Sequence, residues 1–143
     1  MESNKTKLFL VDDDAVFLKA LEIDFLQQSD YNIQTFSSGE DCLQQITDEP
    51  HIIILDHYLD GINKSAMNGL ETLDKIKQYN KNIQVIMLSS QDSIDVAVNC
   101  MHHLAYDYVV KSETAFFRIQ KNITNILAQQ KMENQVNWYM DRM

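Results

Sequence analysis

The sequence predicts an α/β fold in which helices cover both faces of a doubly wound parallel sheet. Short apolar runs alternate with helix-length segments along the chain, and three of these runs show no polar alternation. Uninterrupted apolar runs are typical of parallel strands that lie between two layers of helices. The 143 residues, 45% of them hydrophobic, suffice for one domain with a core, and three glycines and one proline argue against a turn-rich all-β chain.

Five short apolar runs are the predicted strands, because their length and branched side chains favour extended structure. They cover residues 8–11, 33–36, 52–55, 83–88 and 108–110. The first, third and fourth runs contain the uninterrupted segments FLV, IIIL and VIML. We therefore expect these three strands at the centre of the sheet.

Five segments with apolar residues at three- and four-residue steps are the predicted helices. They cover residues 15–28, 39–46, 70–78, 93–102 and 114 to about 130. In the first helix, Val16, Ala20, Ile23 and either Phe25 or Leu26 are expected to form the buried stripe. Five strands and five helices in strict alternation specify right-handed crossovers, and the flavodoxin-like strand order 2-1-3-4-5 is one common arrangement of this kind.

The predicted domain spans residues 1–128, and residues 129–143 are predicted to form a C-terminal helical extension or linker. The apolar spacing of the last helix continues only weakly through residues 132–140. A frayed tail, a linker and a dimerisation helix all remain open for this segment.

Composition and charge argue against several classes of protein. The net charge of −9 and the pI near 4.7 produce a negative field that repels phosphates, so direct nucleic-acid binding is not expected. No apolar run approaches the roughly 20 residues that span a bilayer, and the polar N-terminus is unlike a secretory signal. Cys42 and Cys100 lack CxxC spacing and are interpreted as reduced core residues. We therefore expect a cytoplasmic protein without membrane contact.

Charged and polar residues follow four of the predicted strands. Asp12 and Asp13 follow the first strand, Asp56 the third, Ser89 the fourth and Lys111 the fifth. Because ligands collect at the carboxyl ends of parallel strands, we expect these side chains to share one small area. The first two aspartates could instead be only the acidic start of a helix, where carboxylates favour the helix dipole. The matching Asp56 and Lys111 favour a site.

The chemistry of these side chains predicts a Mg²⁺ site that also takes a phosphoryl group. Carboxylates this close repel each other, which favours either a raised pKa or a bound cation. Oxygen ligands without a thiolate or histidine cluster are typical of Mg²⁺, which completes its coordination with waters and phosphate oxygens. A carboxylate nucleophile, a metal ion, an ammonium group and a hydroxyl are the parts that phosphoryl transfer needs.

Together these motifs resemble the response-regulator receiver domains of two-component signalling, of the chemotaxis-regulator type. The resemblance covers about residues 7–128. The motifs are LFLVDDD at 8–14, IIILD at 52–56, NGLETL at 68–73, VIMLSS at 85–90 and YVVK at 108–111. Each motif is weak alone, but their order and spacing together are specific.

The resemblance implies that Asp56 accepts a phosphoryl group from a phosphohistidine on a sensor histidine kinase or a phosphotransfer protein. It also implies that Asp12, Asp13 and Asp56, with the backbone carbonyl of Tyr58, hold Mg²⁺ directly or through water. Such a domain is a switch rather than a metabolic enzyme, although it can catalyse its own phosphorylation and dephosphorylation.

The resemblance further implies a conformational switch. Ser89 and Lys111 would contact the phosphoryl group, and Tyr108 would turn inward when Ser89 moves. The output face would combine the fourth helix, the fifth strand and the fifth helix, with a homodimer as one possible output. Val98, Met101 and Tyr106 near this face are candidate surface contacts, although core packing is the favoured interpretation for Val98 and Met101.

The sequence departs from the family pattern at two loops. Asp60 occupies a position where the family usually has proline, and about five extra residues lie within 61–67. Surface loops tolerate such insertions because closure entropy grows slowly with length. Lys111 is followed by Ser112 rather than by a cis proline, so we predict a trans peptide bond and an altered loop, because non-proline cis bonds cost roughly 2.5 to 4 kcal/mol.

Two alternative functions remain open at this point. A phosphohydrolase similar to the haloacid-dehalogenase superfamily would use Asp12 as the nucleophile, since residues 12–16 fit its DxDx[TV] motif. A receiver domain that acts as an interaction module without phosphorylation is the other. Treatment with acetyl phosphate and Mg²⁺ would separate the three hypotheses, since the phosphoryl group would be found on Asp56, on Asp12 or on neither.

Overall fold

The computed structural model describes residues 5–28 and 30–142 and contains five parallel strands that alternate with five α-helices. The ends of the predicted domain and of its extension, at residues 1–4 and 143, lie outside the described residues. The strands are β1 (Thr6–Val11), β2 (Tyr31–Phe36), β3 (Ile52–Asp56), β4 (Gln84–Ser89) and β5 (Asp107–Val110). The helices are α1 (Ala15–Leu26), α2 (Gly39–Gln44), α3 (Gly69–Tyr79), α4 (Ile94–His102) and α5 (Ala115–Arg142).

The sheet has the order β2-β1-β3-β4-β5, which confirms the predicted flavodoxin-like arrangement. In register, Val11 pairs with Leu55, Leu55 with Met87, and Met87 with Tyr108. Because all the strands are parallel, this register brings the carboxyl ends of β1, β3, β4 and β5 to one edge of the sheet. The central position of β3 explains why all five of its residues are buried.

Alternate side chains of the strands pack into two cores. On one face, Phe9, Ile53 and Met87 pack with residues of α2, α3 and α4, and the predicted core residues Cys42 and Cys100 both lie there, buried. The other face packs against α1 and α5 and contains Leu8, Leu10, Ile54, Phe25, Ile119 and Ile123. This double burial is why the central strands lack polar alternation.

Polar caps determine where the helices begin. Asp14 Oδ1 accepts hydrogen bonds from the backbone N–H groups of Val16 and Phe17, at 3.1 and 3.2 Å. Asn68 and Glu71 form a reciprocal capping box at the start of α3. The second helix is shorter than predicted, because it ends at Gln44 and the chain continues as a short 3₁₀ helix, Ile46–Asp48.

The prediction for the buried face of α1 is wrong except at Phe25. Val16 is 80% exposed, and Ile23 and Leu26 are 47% and 61% exposed. Leu21 and Phe25 are buried instead. The helix is apolar on two sides, and the side with Phe25 faces the core because this ring makes edge-to-face contacts with two aromatic rings, those of Tyr31 and Phe116.

The helix α5 continues beyond the domain body to Arg142, so the last predicted helix and the segment predicted as an extension or linker form one continuous helix. Its buried residues are Ala115, Ile119, Ile123 and Ile126, and the described residues from 131 onward are all exposed. The extension is therefore helical, whereas its role as a linker or dimerisation helix stays a prediction. Among the described residues, every helix is too short or too polar to span a membrane.

Candidate functional site

The structure brings the predicted acidic residues together at the carboxyl edge of the sheet. Asp12 and Asp13 directly follow β1, and Asp56 is the last residue of β3. One carboxylate oxygen from each of the three lies within 4.8 Å of the other two. Asp12 and Asp56 are only 2% and 3% exposed, so these charges have little water around them. We call these three residues together with Lys111 the acidic pocket.

Lys111, the first residue after β5, supplies the positive charge of the acidic pocket. Its Nζ atom lies 2.7 Å from Asp12 Oδ2 and 3.5 Å from Asp56 Oδ1. Asp12 Oδ2 is nevertheless buried without a well-directed hydrogen bond from any described residue, so the contact with Lys111 is ionic rather than an aligned hydrogen bond. Because a carboxylate oxygen has two lone pairs, Asp12 Oδ2 can contact Lys111 and still bind a metal cation.

Burial and, after it, the neighbouring Asp12 charge raise the pKa of Asp56 to about 7. Lys111 and the backbone N–H of Tyr58 act in the opposite direction on the pKa of Asp56, but they do not cancel the increase. Burial alone would lower the pKa of Lys111, but the Asp12 and Asp56 carboxylates outweigh burial and raise it. The pocket therefore carries more negative charge than one ammonium group can compensate, which favours a bound cation.

The predicted carbonyl ligand, that of Tyr58, lies beside the acidic pocket. A Cβ atom at Gly61 would be 3.4 Å from Asp13 Oδ2 and 3.5 Å from the Tyr58 carbonyl oxygen, so both oxygens border the same small space. The Tyr58 hydroxyl group donates a hydrogen bond of 3.0 Å to Gln91 Oε1. This bond joins the loop after β3 to the loop after β4.

Ser89 and Tyr108 are linked through Gln91. Ser89 is fully buried, and its Oγ atom accepts a hydrogen bond of 3.1 Å from the Gln91 backbone N–H. The Tyr108 hydroxyl group donates to the Gln91 carbonyl oxygen at 2.5 Å, and the side chain is only 7% exposed. The predicted switch tyrosine therefore already occupies an inward position in this structure.

The inserted loop borders the site, which the sequence did not reveal. The backbone N–H of Ile62 donates to Asp13 Oδ2 at 3.3 Å, and that of Met67 donates to Glu40 Oε2 at 2.9 Å. A cavity of about 510 Å³ opens between this loop and α1, with Val16 and Ile62 on its rim. A larger groove of about 830 Å³ lies at the opposite edge, beside Trp138, but it lacks a comparable acidic cluster among the described residues.

The predicted trans bond between Lys111 and Ser112 is confirmed, since the described residues contain no cis peptide bond. The Lys111 backbone N–H donates to the Ser89 carbonyl oxygen at 2.7 Å, so the backbone after β5 remains tied to the end of β4. The serine therefore leaves Lys111 in the pocket.

The face formed by α4, β5 and α5 exposes more apolar surface than predicted. Val98 and Met101 are 48% and 44% exposed, so the favoured interpretation of core packing is wrong for both. The reason is that α4 packs on the sheet through Cys100, with Val96 and Ala97 partly buried, which turns residues 98 and 101 outward.

Asp107 and Arg118 form an ion pair on the same face. Arg118 donates two hydrogen bonds to the Asp107 carboxylate, at 3.0 and 2.9 Å, and Asn122 Nδ2 donates another at 2.7 Å. Burial on its own would raise the pKa of Asp107, but these donors and the Tyr108 backbone N–H outweigh it and lower the pKa.

A lowered carboxyl pKa stabilises the fold above the unfolded-state value near pH 4 and loses this contribution as the pH falls. We expect Arg118→Gln to lower the melting temperature by about 2 °C at pH 7, because a partly exposed ion pair contributes at most about 1 kcal/mol. The difference from wild type should shrink near pH 3. Lys121→Gln, which removes an exposed charge from the same helix, is the control, and an equal loss in both variants would contradict the expectation.

The fold and the acidic pocket define a doubly wound α/β domain with three carboxylates and one ammonium group at the carboxyl edge of its sheet. Comparison with known sequences identifies its family. The chain matches the response regulator receiver domain over residues 8–123 and therefore belongs to that family.

Known relatives agree with this family. The chain is 29% identical to the transcriptional regulatory protein ZraR of Salmonella typhimurium over 128 residues, which are 90% of this chain and 28% of that protein. It is 33% identical to a protein-glutamate methylesterase/protein-glutamine glutaminase of Clostridium acetobutylicum, over 78% of this chain and 32% of that protein. The crystal structure of NtrX from Brucella abortus superimposes with a TM-score of 0.79 at 25% identity, covering 96% of this chain and 30% of that one. The chain thus spans about a third or less of these relatives.

Proposed function

We propose that this receiver domain accepts a phosphoryl group on Asp56 in a Mg²⁺-dependent reaction and thereby switches the face formed by α4, β5 and α5. The observation that carries the proposal is the acidic pocket itself. Three carboxylates and one ammonium group lie at one edge of the sheet in a member of the receiver family. A structural role alone does not explain why two of these carboxylates are buried beside each other.

The residues present fit a Mg²⁺ ion. The donors are hard carboxylate oxygens with a carbonyl nearby, and no residue that the structure describes gives Asp12 Oδ2 a well-directed hydrogen bond. Asp12, Asp13 and Asp56 with the Tyr58 carbonyl would hold the ion, directly or through water. When bound, Mg²⁺ neutralises the carboxylates and the charge on the phosphoryl oxygens.

In the proposed reaction, a carboxylate oxygen of Asp56 attacks the phosphorus atom of the donor's phosphohistidine. The P–N bond breaks, its electron pair returns to the imidazole nitrogen, and an acyl phosphate forms on Asp56. Lys111 would form an ion pair with one phosphoryl oxygen, and the Ser89 hydroxyl group would donate a hydrogen bond to another. Both contacts would stabilise the negative charge of the phosphoryl group. The buried position of Asp56 keeps bulk water away from the acyl phosphate.

Labelling with acetyl phosphate tests this proposal directly. The protein is incubated with acetyl phosphate and Mg²⁺, the acyl phosphate is trapped by reduction, and the modified aspartate is mapped by mass spectrometry. We expect Mg²⁺-dependent label on Asp56. Label on Asp12 would support the phosphohydrolase hypothesis instead, and absence of label would support an interaction module.

We infer that the exposed apolar stripe of α1 receives the phosphohistidine donor. Val16, at its start, borders the cavity that contains Asp56, and Ala20 and Ile23 follow on the same side of the helix. Ile62 of the inserted loop, which is 78% exposed, adds to this surface. An apolar patch beside a reactive carboxylate is suited to a partner whose phosphohistidine must reach into the pocket.

Ile23→Glu is expected to slow transfer from a histidine kinase or phosphotransfer protein by about tenfold or more, because it puts a charge into the desolvated part of that interface. The rate of labelling by acetyl phosphate, which needs no docking surface, should stay unchanged. Val136→Glu on the exposed end of α5 is the matched control. Equal slowing with both donors would show that the substitution acts on the pocket instead.

The outward side chains of Val98 and Met101 support a partner or homodimer contact through the face formed by α4, β5 and α5. The Asp107–Arg118 ion pair lies on the same face and can exchange partners across a twofold axis. Sedimentation velocity of the protein with and without a phosphoryl group on Asp56 measures this association. We expect a dimer only when Asp56 is phosphorylated.

A further inference from the structure

The position of the Lys111 ammonium group is set by few contacts. Its side chain is 13% exposed and reaches across the acidic pocket to Asp12 and Asp56. The next residue is Ser112, whose hydroxyl group lies 3.2 Å from Thr114 Oγ1 and so belongs to the start of α5 rather than to the pocket. A lysine side chain has a flexible stem of four carbons, and fixing it in one conformation costs about 2 kcal/mol of rotamer entropy.

An aromatic ring completes the surroundings of this ammonium group. Lys111 Nζ lies over the ring of Phe17, 4.6 Å from its centroid, which is within the range of a cation–π interaction. Phe17 is half-buried in the first turn of α1, and its backbone N–H donates to the capping Asp14 Oδ1 at 3.2 Å. The cap fixes the start of the helix and therefore the place of the ring.

We propose that Phe17 is a positioning residue for Lys111. The negative face of its ring holds the ammonium group at the rim of the acidic pocket, where it can meet the incoming phosphoryl group. Phe17 does not touch the reacting atoms, so its effect passes entirely through Lys111. The inference rests on the proposed function, because the position of Lys111 matters for phosphoryl acceptance only if Asp56 is the acceptor.

The electrostatic part of this role can be separated from packing. Stepwise fluorination of a phenylalanine ring weakens the negative potential of its face while changing its shape only slightly. The test introduces 4-fluoro-, 3,5-difluoro- and 3,4,5-trifluorophenylalanine at position 17 and measures the initial rate of Mg²⁺-dependent labelling of Asp56 by acetyl phosphate. The same series at Phe116, whose ring packs against Phe25, is the control.

The labelling rate is expected to fall with each added fluorine at position 17, by about fivefold in total, whereas the melting temperature and the series at Phe116 stay flat. Phe17→Tyr should retain the rate and Phe17→Leu should lose it to a similar degree. A rate that is constant through the fluorinated series would overturn the positioning role, whatever Phe17→Leu does. Absence of label on Asp56 in the unmodified protein would overturn the proposed function and this inference with it.

Discussion

Replacing Gly69 by alanine is expected to lower the melting temperature by about 10 °C, which corresponds to roughly 3 kcal/mol for a domain of this size. A Cβ atom at this position would lie 2.3 Å from the Asp56 carbonyl oxygen and 2.7 Å from the Cα atom of His57. Both atoms belong to the backbone at the end of β3, so they cannot move aside without displacing the Asp56 carboxylate. We therefore expect Mg²⁺ binding to weaken together with stability.

Gly61→Ala is the matched control for this substitution. A Cβ atom there would make contacts of only 3.4 and 3.5 Å, to Asp13 Oδ2 and the Tyr58 carbonyl oxygen, and the residue is exposed. Its melting temperature should change by no more than about 2 °C. Thermal melts of both variants in chelator make the comparison of stability, and a Mg²⁺ titration of Gly69→Ala against wild type measures metal binding. A Gly69→Ala protein as stable as Gly61→Ala would contradict the steric explanation.

The fold could be predicted from the sequence because its strongest signals are local. Residues 52–55 are uninterrupted apolar residues, which is what a strand buried on both faces requires, and the structure places them in the central strand. The acidic pocket follows from the same signal, since residues that follow parallel strands must meet at one edge. Asp12, Asp56 and Lys111 are therefore close together even though up to 99 positions separate them in the chain.

Other features depend on which of two similar surfaces packs against the core, and the local sequence pattern does not determine that choice. The helix α1 is apolar on two sides, and only the contacts of Phe25 with Tyr31 and Phe116 determine which side is buried. The same applies to the inserted loop, where the pairing of the Ile62 backbone N–H with Asp13 involves no side chain of Ile62. Because nearly every residue type has a backbone N–H group, a hydrogen bond of this kind cannot be predicted from the amino-acid sequence.

The inward position of Tyr108 is a third example. The resemblance to receiver domains implied a switch role for this residue of β5, but its orientation depends on the Gln91 carbonyl oxygen, which every residue type offers. Gln91 also joins Ser89 and Tyr58 through its backbone N–H and its side chain. One loop residue thus connects the predicted phosphate-contacting serine with the predicted switch, which the sequence could not show.

Asp56→Asn is expected to abolish function while increasing the stability of the metal-free protein. Burial and the Asp12 charge raise the pKa of Asp56 to about 7. An acid whose folded-state pKa is raised contributes its full stability only below the unfolded-state pKa near 4, and this contribution is lost as the pH rises to about 7. The amide has no such loss. We therefore expect the variant to be about 2 kcal/mol more stable than wild type at pH 8, but similar to it near pH 4.

Thermal melts between pH 4 and pH 8, in chelator and again in saturating Mg²⁺, measure both parts of this expectation. Mg²⁺ should raise the melting temperature of wild type at pH 8 and raise that of Asp56→Asn much less, because one of the three carboxylates is missing. Label from acetyl phosphate should disappear from the variant. Asp24→Asn, an exposed carboxylate on α1, is the control and should show no pH-dependent gain. If Asp56→Asn were less stable than wild type at pH 8 in chelator, attraction to Lys111 would outweigh burial and repulsion, and the acidic pocket would not need a cation to balance its charge.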